Sequence, residues 1–154
     1  MKSNSIWGAV LLATIISACE SKVTYDRYDD VSVAGWNKTD SLRFDIPPVD
    51  TTGTYNMEGG LRINGTFPFM SITLIVNTTI PNRHIARTDT VTCPTISKNG
   101  KPIGTGVNFF QTRFPITNMQ LTKGDSLHIT IRHGMRREEL PGVINVGVKL
   151  EHEP

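Results

Sequence analysis

Four histidines, His84, His128, His133 and His152, and the cysteine Cys93 are the residues with the clearest capacity for metal or nucleophilic chemistry. A zinc site needs ligands converging on one point at about 2.0–2.3 Å. His128 and His133 are five positions apart, an odd separation that sends their side chains to opposite faces of a strand, so the spacing predicts no metal site. A nucleophilic thiol needs a nearby base. His84 is the only local candidate for Cys93, and a cysteine directly before Pro94 reads better as a small half-buried side chain. Asp26, Asp29 and Asp30 lack the oxygen-rich spacing and the glycine of a calcium loop and read as a solvated linker. The sequence contains no HExxH, no GxSxG and no GxxxxGK[ST], and Gly104 and Gly106 have no strand-to-helix setting for a dinucleotide. The expectation is a protein that is not an enzyme, with no metal and no small-molecule cofactor.

Cys19 differs in kind, because the residues before it are ordered by type. Lys2 is followed by an uncharged apolar run from Ile6 to Ile16, then by the small residues Ser17 and Ala18, then by the cysteine. Charge followed by an apolar run is the layout of a secretory signal peptide, and the run falls short of the ~20 residues that cross a bilayer. Ile16-Ser17-Ala18-Cys19 resembles the bacterial lipobox, at which a diacylglycerol is joined to the cysteine sulfur and the chain is cut before it. Residues 1–18 are therefore expected to be removed and Cys19 to be the lipid attachment point. Acyl chains hold by ~0.8 kcal/mol per buried methylene, one chain marginally and two or three almost permanently. The membrane is thus an expected partner, in a bacterial cell envelope. Glu20, Ser21 and Lys22 form no dense acidic run, which favours an outer-membrane position facing the periplasm. Residues 19–30, polar and without clear periodicity, are expected as a flexible lipidated tether, and residues 31–154 as the folded domain.

The whole chain has 154 residues, 38% hydrophobic and 19% charged, with a net charge of +2. These values suit one globular domain and give no electrostatic case for nucleic acid. The charge is uneven: residues 20–60 carry four basic and eight acidic side chains, residues 61–150 eleven basic and four acidic. A basic patch for an acidic partner would produce this. So would acidic and basic strands lying side by side, and that reading is preferred.

Past residue 30 the apolar side chains alternate. Leu42, Phe44 and Ile46; Ile72, Leu74 and Val76; Leu127, Ile129 and Ile131; and Ile144, Val146, Val148 and Leu150 each mark a strand with one buried face. Weaker strands are expected over Val31–Trp36, Thr54–Glu58, Leu61–Ile63, Ile85–Cys93 and Phe109–Ile116. Turns are expected at Gly59-Gly60, Asn64-Gly65, Pro81-Asn82 and Lys98–Lys101, and a loop over Gly134–Gly142. About eight short strands separated by turns predict an all-β fold, an antiparallel β-sandwich of jelly-roll type, in one domain.

The order of these motifs carries a family resemblance. Ile129–Glu151 (ITIRHGMRREELPGVINVGVKLE), with Met135, Arg136, Leu140, Gly142, Val146 and Gly147, is similar to the closing pattern of the GldH gliding-motility lipoproteins. Leu61–Pro81 and the glycine-rich Lys98–Gly106 resemble that family's central segments, although Pro102 and Ile103 stand where an aromatic is more usual. The resemblance, which also takes in Trp36 and the lipobox, implies a Bacteroidetes envelope lipoprotein with a β-sandwich, a structural or protein-interaction role and no catalysis, tied in gliding members to the motility machinery. Other envelope proteins are the partners it implies. Trp36, Phe67, Phe69, Met135 and Arg136 are the candidate partner surface, since aromatic faces bury large areas at low entropic cost; most aromatics in a sandwich are core. The alternative is a glycan-binding lipoprotein, which would need Trp36 or the tyrosines Tyr25, Tyr28 and Tyr55 exposed in one plane.

Overall fold

A computed structural model describes residues 21–154; the expected signal peptide and Cys19 lie outside the described residues. The alternating segments fold as anticipated. Leu42–Ile46 is β3, Ser71–Ile80 is β5, Leu127–His133 is β8 and Val143–His152 is β10. Their inward rows are fully buried at Ile72, Leu74, Val76, Leu127, Ile131, Val146, Val148 and Leu150, each contributing about 1.5–3 kcal/mol by leaving water. The remaining strands are β1 (Lys22–Asp30), β2 (Trp36–Asn37), β4 (Gly53–Asn64), β6 (Ile85–Pro94), β7 (Phe109–Leu121) and β9 (Glu139–Leu140).

Two four-stranded antiparallel sheets face each other, one in the order β1-β10-β4-β7 and the other β3-β8-β5-β6, while β2 and β9 form a small ribbon at one end. Leaving out that ribbon, the eight long strands follow jelly-roll order, with consecutive strands mostly crossing from one sheet to the other. The registers divide the molecule into two poles. Lys22 pairs with His152, His152 with Tyr55 and Gly53 with Leu121, so the chain enters β1 at the same end as the 47–52 and 122–126 loops. The opposite pole gathers the loops around Val33, Asn64–Met70, 95–108 and 134–142.

Several expectations are corrected. Residues 22–30 are not tether: they form β1 and pair with β10 along their length. Period-two alternation is lost there because the register shifts between Val23 and Tyr25, and because the outward Tyr28 packs on a neighbour that has no side chain. Gly59-Gly60 is not a turn. It lies inside β4 and joins the two short strands expected on either side. Gly59 gives its space to the Phe114 ring and Gly60 to Tyr28, and a Cβ at either would collide with those rings. Val31–Trp36 is not a strand either: Val31 donates to the Ile144 carbonyl at 2.9 Å, the chain turns, and only Trp36 and Asn37 pair, with Leu140 and Glu139. In β10 a bulge between Val143 and Asn145 puts Val143, not Ile144, in line with the buried row.

Candidate functional site

The residues able to do chemistry are kept apart. His133 is buried, and its Nε2 donates to the Trp36 carbonyl at 3.1 Å, with the Trp36 ring edge-on at 5.4 Å. Burial holds its pKa below the ordinary histidine value, against the opposing effect of backbone hydrogen bonds. His128 projects from the outer face, where Nδ1 meets Asp45 Oδ1 at 2.5 Å. Among the described residues no three His, Cys, Asp or Glu side chains are grouped to hold a metal. Cys93 is buried, and burial pushes its thiol up to about 11. His84 precedes the opposite end of β6, roughly 30 Å away at ~3.3 Å per residue, and cannot serve it as a base.

Two of the three acidic residues read as linker, Asp26 and Asp30, are instead part of a polar lattice on the outer face of the first sheet. Arg113 reaches both carboxylate oxygens of Asp26, at 2.8 and 3.0 Å. Asn145 donates to Asp30 at 2.5 Å and lies 3.5 Å from Arg62 Nη1, and Arg62 Nε donates to Gln111 at 2.8 Å. Lys149 joins Glu58 and Glu151. At its centre lies the Tyr28 ring, against Gly60 and Gly147, with the guanidinium of Arg62 3.9 Å and that of Arg113 5.0 Å from the ring centroid. The acidic first part of the chain therefore meets basic strands from its later part, as the charge pattern implied.

All five candidate partner residues come to the pole far from the start of β1, but not as one exposed surface. Trp36 is 1% exposed, and its Nε1 donates to the Asp40 carbonyl at 3.1 Å. Phe67 is buried too, edge-on to the half-buried Phe69 at 5.7 Å. Met135 is half-buried, its Sδ accepting the Thr73 N–H at 3.3 Å. Arg136 alone is exposed. Trp36 and Phe67 are thus corrected from surface to core: they fill the space under the loops of this pole. What this pole presents is Val33, Met70 and Val107 from its loops and Phe109 at the start of β7, all exposed. Sequence reasoning missed the first three because single apolar residues in loops carry no periodic signal, and Phe109 because a strand pattern does not tell which end of its outer face stays open. Tyr25, Tyr28 and Tyr55 offer no coplanar platform either, since Tyr25 packs on the core, Tyr28 lies under two arginines and Tyr55 is buried.

The model of the GldH lipoprotein family matches residues 23–150, from the first residues of β1 almost to the end of β10. The chain belongs to the GldH lipoprotein family. It is 27% identical over 154 residues to the gliding motility lipoprotein GldH of Flavobacterium johnsoniae, covering 95% of this chain and 96% of that one. It is 22% identical over 156 residues to the GldH homolog of Christiangramia forsetii, covering 96% and 94%. Among solved structures it is similar to the Eiger TNF of S. frugiperda, at 11% identity and a TM-score of 0.39 over 86% of this chain and 94% of that one. Membership makes this GldH-family chain a lipoprotein with its place in the cell envelope. Its β1 belongs to the matched region, which agrees with the structure in counting residues 23–30 as domain.

Proposed function

We propose that this GldH-family lipoprotein is a non-enzymatic component of the outer membrane's periplasmic side, tied by acyl chains on Cys19 after residues 1–18 are removed, and that it works by holding another envelope protein. In gliding relatives that partner would belong to the motility machinery. The observation that carries the reading is the opposition of the two poles. The chain enters at one, two residues after Cys19, and exposes Val33, Met70, Val107 and Phe109 at the other. A lipid anchor turns the first pole to the bilayer, and the second then faces outward, with apolar side chains that a partner can cover. The dispersed histidines and the buried, protonated Cys93 support a role without catalysis. The glycan reading gains nothing from the structure, since Trp36 and Tyr55 are interior, Tyr25 packs on the core and Tyr28 lies under two arginines.

Two variants test this. Cys19→Ala is expected to move the protein from the detergent phase to the aqueous phase with its fold unchanged. Met70→Glu combined with Val107→Glu is expected to leave membrane attachment and thermal stability in place while removing the envelope proteins recovered with the wild-type protein by native pull-down. A Cys19→Ala protein that stays in the detergent phase overturns the anchor, and an unchanged pull-down from the double variant overturns the outward pole as the docking surface.

A further inference from the structure

The sandwich is not closed along its whole length. At the pole where the chain begins, a groove of about 340 Å³ lies between β6 and β7, with Thr78, Ile80, Ile85, Arg87 and Met119 in its lining and Arg83 bridging it at the end, its Nη1 donating to the Gln120 carbonyl at 3.2 Å. Pairing places Ile85 opposite Ile80 and Arg87 opposite Thr78 on the inward face, yet Ile85 is 40% exposed. Apolar side chains that the fold directs inward are here left open to solvent, at a cost of about 25 cal/mol per Å². Beneath them Thr78 is 2% exposed, and its hydroxyl has no hydrogen-bond partner, a shortfall that buried polar groups seldom show.

We propose that this groove takes one acyl chain of a membrane phospholipid, an inference that rests on the Cys19 anchor proposed above. Two observations select that occupant. The segment outside the described residues ends at this pole, and only Glu20 separates Cys19 from Ser21, so an anchored domain turns the end that carries the groove toward the bilayer. The lining is mixed as a lipid is: Ile80, Ile85 and Met119 offer an apolar stretch for the hydrocarbon, the Thr78 hydroxyl beside them is a donor for an ester carbonyl, and the polar ends are Arg83, held by Gln120 and Asp125 at the pole, and Arg87, held by Asp89 further in.

The test uses the full lipoprotein in phosphatidylethanolamine and phosphatidylglycerol vesicles containing a phospholipid with a photoreactive acyl chain. Flotation of the vesicles reports the anchor, and mass spectrometry of the adducts reports the groove. Adducts are expected on the peptides containing Ile85 and Met119 and not on the one containing Val107, and Ile85→Asp should lower them about tenfold, as expected when a charge is placed in an apolar site. Protein that floats without adducts at Ile85 or Met119 overturns the lipid groove and leaves the anchor standing. This is also the result expected if the protein's own unlabelled acyl chains fill it. Cross-linking of Ile85 to a second copy or to another protein overturns it as well, and protein that does not float overturns the anchor and the groove together.

Discussion

A Cβ on Gly147 would sit 2.8 Å from the Tyr28 ring, and one on Gly60 would collide with the same side chain, so the two glycines paired across β10 and β4 form the floor on which that ring lies. Gly60→Val is therefore expected to lower stability by about 1–3 kcal/mol, the cost of overpacking, measured as a fall in the urea midpoint. Gly65→Ala, whose new Cβ meets nothing within 4 Å, is expected to stay within about 0.5 kcal/mol of wild type. Equal losses at both positions would show that Tyr28 does not need its floor. His133 makes a pH prediction. Burial lowers its folded pKa, so below the unfolded value of about 6.5 the unfolded chain takes up the proton first. Stability contributed by neutral His133 is complete above that pH and is lost as pH falls toward the folded pKa. In His133→Gln the decline of the urea midpoint between pH 7.5 and 5 should be shallower than in wild type, and an unchanged slope would remove His133 as its source. Asp125 and Glu151, whose pKa values are lowered, act further down, as acid approaches the ordinary carboxylate range.

β1 is the element for which local pattern failed, and the reason lies in its neighbour. It is an edge strand whose outward face packs by one aromatic ring on a partner lacking side chains there, so its own sequence shows no stripe to read. Its attachment beyond the backbone ladder has two parts of unequal weight. The Asp26–Arg113 pair is solvent-accessible, with side chains 40% and 29% exposed, and such pairs are worth about 0–1 kcal/mol. The Tyr28 ring combines burial over glycine with two guanidinium contacts, each worth about 0.5–2 kcal/mol. Tyr28→Ala is expected to cost about 1–3 kcal/mol and to speed hydrogen exchange at the β1 amides, whereas Asp26→Asn should cost less than about 1 kcal/mol and leave exchange nearly unchanged. The reverse order would mean that charge, not the ring, holds the strand. β3 and β6, the edges of the other sheet, are protected differently. β3 is short and carries Asp45 outward, and β6 points Arg87 and Asp89 inward, bonded to each other at 2.8 and 3.0 Å, devices that discourage pairing with other chains.

For the whole molecule the decisive consequence of β1 is a short connection. Between Cys19 and the first paired residue, Lys22, only Glu20 and Ser21 intervene, so the anchor proposed at Cys19 would keep the domain close to the membrane, with its outward pole up to about 40 Å away, the length of a 12-residue strand such as β4. Inserting twenty Gly/Ser residues after Ser21 should leave the thermal transition unchanged and lift a fluorophore at Val107 by about 25 Å from the bilayer, the mean span of such a linker. Distances that do not change on insertion would show that the domain is held to the membrane by its own surface. The sequence by itself determined the chain's type: the lipobox-like run, the all-β alternation, the main turns and the family are all written in residues close to one another, where periodicity and local chemistry act. Tertiary structure alone decided the order of the strands, the inclusion of β1, the glycine pair as strand and not turn, and the burial of Trp36 and Phe67. Each of these depends on a partner far along the chain, Tyr28 on Gly60 and Gly147, Gly59 on Phe114 and Trp36 on His133, and an aromatic or a glycine looks the same in sequence whether it faces water or another ring.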